Sequence, residues 1–370
     1  MSGITRLTLT DFRSYRALRF VPRGRVSVFT GPNGSGKTNL LEAVSLLVPG
    51  RGLRGAKFSE LARRGEDASG VWGVAARLES GGESFEIGTG AAEAAPERRV
   101  FRLDGAAPGS QAEVGAKLAA TWLTPQMDRL FTDPAGGRRK FLDRLVLALE
   151  PGHARQMAAF EQASSQRNRV LAESADPSWL AGLEHSMARH AVAATAMRVA
   201  LVAQLNAAIG GGIAAPFPPV SLGLACTIAA RLEQMPALAV EEALREALAA
   251  ARAQDAAAKS ASLGPQKADL LITDARSGRA AAESSTGQQK TMLLGIILGH
   301  AALIAALRGA PPILLLDEPL VHLDAAHRAA LLAALQAQNF PAWMTGTDAE
   351  AFAGAKAACY TIRDGSIEAL

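Results

Sequence analysis

The stretch GPNGSGKT at residues 31–38 constrains the fold of this chain more than any other. It follows RVSVFT, which reads as a strand, and opens NLLEAVSLL, whose apolar spacing reads as an amphipathic helix. A G-x-x-x-x-G-K-[ST] run between a strand and a helix is the phosphate-binding loop. Gly31, Gly34 and Gly36 let the backbone curl so that its N–H groups face inward, and the helix N-terminus adds partial positive charge. Lys37 reaches the β- and γ-phosphates of ATP, and Thr38 offers its hydroxyl to Mg²⁺. The run from Gly31 through Pro32, Asn33, Ser35 and Thr38 to Asn39 is therefore expected to contact nucleotide.

Composition removes several other classes. The 370 residues are 49% hydrophobic and 20% charged, ordinary for a soluble globular protein and wrong for a disordered one. A net charge of +4 is compatible with nucleic acid without requiring it. Cys226 and Cys359 lie far apart, so neither a disulfide framework nor a zinc spacing is present, and the six histidines form no metal-binding pair. The N-terminal MSGITRLTLTDFRSY lacks a signal-peptide core. The longest apolar run, 292–307, is short of the ~20 residues of a bilayer span and reads as a buried core helix. The expectation is a cytoplasmic protein with no membrane partner.

Strands are expected at 4–9, 25–30, 71–79, 83–88 and 99–104, with a hairpin at Gly81-Gly82. From about 111 to 260 the chain is alanine-rich and mostly helical, and 151–208 reads as a helical hairpin around the ADPS break, roughly 40 Å long at ~1.5 Å per residue. APFPPVSLGLACTI reads as a loop and a strand, and PPILLLDEP, AWMTGT and ACYTIRDGSIEAL as further strands. The order is α/β, helical, α/β, which suggests residues 1–110 and 283–370 as two parts of an ATPase lobe and 111–282 as an inserted helical lobe.

ILLLDEP at 313–319 is the natural companion of the loop. Asp317, at a strand end, is placed to hold Mg²⁺ opposite Thr38, and Glu318 to activate the attacking water. LVHLD then brings Asp324 after that strand. Just upstream, SSTGQQK at 284–290 opens an apolar helix over 288–300, which by itself is only a serine N-cap.

The succession of phosphate loop, SSTGQQK and LLLDEPLVHLD resembles that of ATP-binding-cassette ATPases. The resemblance implies a cassette ATPase head in which Ser285, Gly287 and Gln288 cap the γ-phosphate held by a second copy of the chain. It implies a Mg²⁺-sensing role for Gln126 in WLTPQMDRL, and it puts Thr347 of MTGTD at the switch position, where transporters usually carry His. ITRLTLTDFRSY, LTPQMDRLFTDPAGGRRKFLDRLV, SQRNRVL and LGPQKADL further resemble the RecF family of bacterial DNA repair ATPases, related to the heads of SMC-type chromosome proteins. LLLDEPLVHLD is closer to the general cassette pattern, since RecF proteins often carry Asp where Glu318 stands.

That resemblance implies a slow, DNA-stimulated ATPase that closes as an ATP-dependent homodimer. Its DNA would be a duplex near single-strand gaps or junctions, and it would act with RecR and RecO to load RecA. Arg51, Arg54, Lys57, Arg63 and Arg64 form one basic run and Arg138, Arg139 and Lys140 another, with Arg167 and Arg169 on the first hairpin helix. Such clusters give sequence-independent affinity for phosphates. The alternatives are a transporter nucleotide-binding subunit, an SMC-like structural tether, whose arms would be far longer, and an ATP-gated clamp that hardly turns over.

Overall fold

The computed structural model describes residues 3–65, 67–80, 82–92, 94–173 and 176–370. Gly81 of the expected turn and Ala175 of the ADPS break lie outside them. In chain order the elements begin with β1 (Gly3–Phe12), β2 (Tyr15–Phe20), β3 (Val26–Thr30) and α1 (Lys37–Ser45). Then come β4 (Trp72–Ser80), β5 (Glu83–Ala92), β6 (Ala95–Leu103), α2 (Gln111–Lys117) and β7 (Ala120–Leu123). The middle of the chain forms α3 (Ala135–Leu149), α4 (His153–Ala172), α5 (Pro177–Gly210), β8 (Val220–Ala225), α6 (Thr227–Leu232), α7 (Ala237–Ala250), α8 (Arg252–Ala258) and β9 (Asp269–Asp274). The last part holds α9 (Thr286–Arg308), β10 (Ile313–Leu316), α10 (Ala325–Ala337), β11 (Ala342–Thr345), β12 (Ala358–Arg363) and β13 (Ser366–Ala369).

The chain divides into two units. The first comprises residues 1–128, 212–219 and 284–370, the second 129–211 and 220–283. The inserted unit thus begins near residue 129 rather than 111, because β7 belongs to the ATPase sheet. β7 was not expected as a strand: ATWL is four residues long and carries no alternation.

The first unit contains a six-stranded sheet of order β13-β12-β3-β11-β10-β7, parallel except at β13, and a five-stranded antiparallel sheet of order β2-β1-β4-β5-β6. The central parallel strands β3, β10 and β11 are buried at every residue, which is why they read as unbroken apolar runs. The antiparallel strands alternate buried with open positions, as a sheet with one solvated face does. Leu40, Leu41 and Val44 of α1 join Leu9, Ile87, Phe29 and Trp343 in one core. The apolar α9 is also interior to this unit, with Met292 through Ile304 buried.

In the second unit α4 and α5 form the expected hairpin, with unequal arms of 20 and 34 residues, about 30 and 51 Å long. The surplus of α5 is its base, where Asn206 bonds both backbone groups of Leu222 in β8 at 2.8 Å. Within the hairpin, Met187, Ala191 and Val192 of α5 pack with Phe160 of α4 and with Ile228, Val240 and Leu244. Two ionic knots lie within this unit, each built around a buried arginine. Arg167, fully buried, donates to Glu184, Asp255 and the Leu248 carbonyl, and Arg252 closes on Glu184. Arg198 grips Asp143 with both ends of its guanidinium, and His153 reaches the same carboxylate.

Candidate nucleotide site

β3 ends at Thr30 and α1 begins at Lys37, so the phosphate loop lies at the C-terminal edge of the parallel sheet. Gly31 and Gly36 carry positive φ, and neither has room for a Cβ: at Gly31 it would stand 2.5 Å from the Ile362 carbonyl oxygen, at Gly36 2.8 Å from Ser14 Oγ. Lys37 Nζ donates to the carbonyls of Gly31 and Pro32 at 2.7 and 2.9 Å. Burial lowers its pKa below the ordinary lysine value, and the Glu318 and Asp317 carboxylates act against that.

Asp317 stands one residue past β10, with its N–H on the Leu123 carbonyl of β7. Its Oδ1 accepts from Thr38 Oγ1 at 3.0 Å and from Thr345 Oγ1 at 2.7 Å. Thr345 Oγ1 in turn accepts the Glu318 N–H at 2.9 Å. Glu318 has φ 50°, a left-handed conformation that side chains with a Cβ seldom adopt. The loop helix, the acidic strand and β11 are thus tied at one oxygen. Glu318 lines a cavity of about 220 Å³ together with Thr345, Thr347 and Arg328, so the divergent switch residue stands beside the acid.

A hydroxyl and a carboxylate oxygen within hydrogen-bond reach are the hard oxygen donors that Mg²⁺ takes, and Mg²⁺ needs few protein ligands. No cluster of three or more His, Cys, Asp or Glu side chains suited to a metal exists among the described residues. Thr38 and Asp317 fit the ion. Gln126, exposed, follows β7, which pairs with β10 in the register Leu123↔Leu316, and so stands past the same sheet edge.

Ser285 is the N-cap of α9 in a full capping box with Gln288, each side chain meeting the other residue's N–H. It is exposed, and a Cβ on Gly287 would lie 3.4 Å from the His322 carbonyl oxygen of the LVHLD segment. Asp324 caps α10 through the His327 N–H and is exposed. Lys290, last residue of the motif, is buried and donates to Asp128 at 2.7 Å, two residues past Gln126.

The Arg13-Ser14-Tyr15 turn after β1 was missed as part of the site. Tyr15 OH donates to the Gly36 carbonyl at 3.0 Å, Ser14 Oγ accepts from Asn39, and Arg13 holds Glu42 of α1 with two bonds of 2.9 Å. The only sequence signal was a polar RSY break between apolar stretches.

The basic residues separate by partner. Arg51, Lys57, Arg64 and Lys140 are exposed. Arg54 is drawn to Asn39 and Glu42, and Arg63 to Asp11 and Asp67. Arg138 is bound through two bonds of 2.8 Å to Asp269, and Arg139 donates to the Ala268 carbonyl. Arg169 is exposed, but Arg167 is a correction: it is a core ion with no access to an external phosphate.

A P-loop head with an antiparallel second sheet, a capped signature helix and a short helical hairpin defines a cassette ATPase head of the SMC kind. The family model of the RecF/RecN/SMC N-terminal domain matches residues 3–360. Within it, the chain belongs to the RecF family. It is 46% identical to the DNA replication and repair protein RecF of Mesorhizobium japonicum, over 94% of this chain and 92% of that one. To its namesake in Rhizobium johnstonii it is 42% identical, over 99% and 98%. The fold agrees with the solved structure of the recombination mediator protein RecF-ATPrS of the RecFOR pathway at a TM-score of 0.87 and 22% identity, over 100% of this chain and 98% of that one. It also agrees with an Smc head from Pyrococcus furiosus at a TM-score of 0.54 and 15% identity, covering 100% and 96%. Membership of this family sets aside the transporter-subunit alternative.

Proposed function

We propose that this chain is an ATP-driven DNA repair protein that closes as a homodimer on duplex DNA near single-strand gaps and opens on slow hydrolysis. The observation that carries the reading is the convergence of Thr38 and Thr345 on Asp317, with the Glu318 N–H held in turn by Thr345. It joins the phosphate loop to the acid that would activate water. The relatives' repair role and a solved ATP-analogue complex of that fold support it. Action with RecR and RecO to load RecA, in the cytoplasm, belongs to the same reading.

Loop N–H groups and Lys37 bind the phosphates, Lys37 exchanging two backbone carbonyls for phosphate oxygens. Thr38 and Asp317 would hold Mg²⁺, with Gln126 at the same edge, and when bound the ion supplies charge neutralisation at the β- and γ-phosphates. Glu318 takes a proton from water, its backbone fixed by Thr345. Ser285, which is exposed, and the N-terminal N–H groups of α9 would cap the γ-phosphate of a second copy.

The test compares Lys37→Ala with Glu318→Gln. Lys37→Ala should lose ATP binding and, with it, ATP-dependent DNA retention. Glu318→Gln should bind ATP, release little phosphate and stay on labelled gapped DNA longer than wild type after competitor is added. Equal dissociation rates for the two variants would remove Glu318 from the chemistry.

A further inference from the structure

The solvated face of the five-stranded sheet has an unusual floor. The strand register sets Arg19, Thr8, Ala75, Gly88 and Arg102 in one cross-sheet row. The next row holds Ala17, Thr10, Gly73, Gly90 and Val100. Where a surface sheet commonly carries long polar side chains, the middle strands carry Gly, Ala and Thr, leaving an open trough of about 240 Å³ along β4 and β5. Gly90 cannot be filled, since a Cβ there would meet the Trp72 carbonyl oxygen at 2.5 Å.

The walls are cationic. Arg19 on β2 and Arg98 and Arg102 on β6 are exposed and form no ion pair among the described residues. Arg77 is exposed in the adjoining row, where Arg6 is occupied by Glu86. Glu79 lies at that end of the face, so the acids sit together and the trough between the walls has none.

Small residues alone would carry nothing; the paired arginine walls are the independent observation, and their charge selects a polyanion. From Arg19 to Arg102 the row crosses four strand spacings, roughly 19 Å at ~4.8 Å each. Two phosphate rows face each other about 12 Å apart across a duplex major groove, a difference that long arginine side chains span. A single strand offers one row and reaches one wall. We infer that the outer face of the five-stranded sheet is a cradle for the two sugar-phosphate backbones of duplex DNA, distinct from the basic runs at 51–64 and 138–140. The two rows of the floor between the walls have no side chain long enough to read a base edge, so recognition within them is of backbone. This rests on the DNA-binding reading above and specifies where, and which form, the chain grips.

The experiment is a salt series of binding to labelled blunt duplex and to the same sequence single-stranded, with ATP present. The variants are Arg19→Ser/Arg102→Ser, Ala75→Gln, which fills the floor without changing charge, and Ala17→Lys, which adds a cation to one wall. Thermal unfolding and ATP hydrolysis without DNA should match wild type. The double variant should bind duplex about tenfold more weakly, with a log–log salt slope shallower by about 2, and single strand unchanged. Ala75→Gln should weaken duplex alone, and Ala17→Lys should tighten it. If wild type binds duplex and all three variants match it in affinity and slope, the cradle is wrong while the DNA reading stands. If wild type binds no DNA, both fall.

Discussion

Arg167 shows how far a residue's chemistry depends on where it lies. On the α4 sequence it looks like a surface cation, yet it is sealed among Glu184, Asp255 and the Leu248 carbonyl. Removing it leaves two buried carboxylates short of their partner. Arg167→Ala should therefore destabilise the second unit by about 3–5 kcal/mol, measured by denaturant unfolding. Arg169, two residues on and exposed, should tolerate Ala with little change in stability. Arg138 belongs with Arg167: bound through two bonds to Asp269, it would unsettle the fold on reversal to Glu before it reported on DNA.

At the scale of the element, α9 carries two tasks at one end. Ser285 caps it through the Gln288 N–H, and the same hydroxyl is the group proposed to face a second copy's phosphate. Substitution by aspartate separates these tasks, because Asp is as good an N-cap as Ser but brings negative charge to the phosphate-facing end. Ser285→Asp should keep the wild-type melting temperature and ATP binding while sedimenting as a monomer with ATP. Ser285→Ala should cost about 1 kcal/mol of stability. A Ser285→Asp protein that still dimerises with ATP would leave Ser285 as a cap and nothing more.

At the largest scale, acid should loosen the second unit. In the second, burial pushes the carboxyls of Asp143, Glu184 and Asp255 up, but hydrogen bonds outweigh it: from His153 and Arg198 to Asp143, from Arg252 and Arg167 to Glu184, and from Ser262 and Arg167 to Asp255. All three are held below the usual carboxylate value. Their contribution is complete above the unfolded range, about pH 4, and is lost as pH falls through the depressed folded values. Helical circular dichroism, carried mostly by the second unit's helices α3 to α8, should therefore fall progressively below about pH 4. Asp143→Asn should lower stability at neutral pH and flatten that acid limb.

Those parts whose chemistry is contiguous were legible in the chain before any fold was known. The loop from Gly31 to Thr38, the Asp317-Glu318 pair at the end of an apolar strand and the Ser285 cap each need only neighbours a few residues away, so spacing reveals them. What meets across the sheet depends on how the strands pair. Thr345 reaches Asp317 because β10 and β11 are parallel neighbours, 28 residues apart in sequence. The Tyr15 turn braces Gly36, and β7, four residues long, joins the sheet by register alone. Burial made the remaining choice, dividing arginines that look alike in sequence into core ions such as Arg167 and exposed cations such as Arg19. Periodicity records which face of an element is apolar, whereas an ion's partner is fixed only when distant elements pack around it.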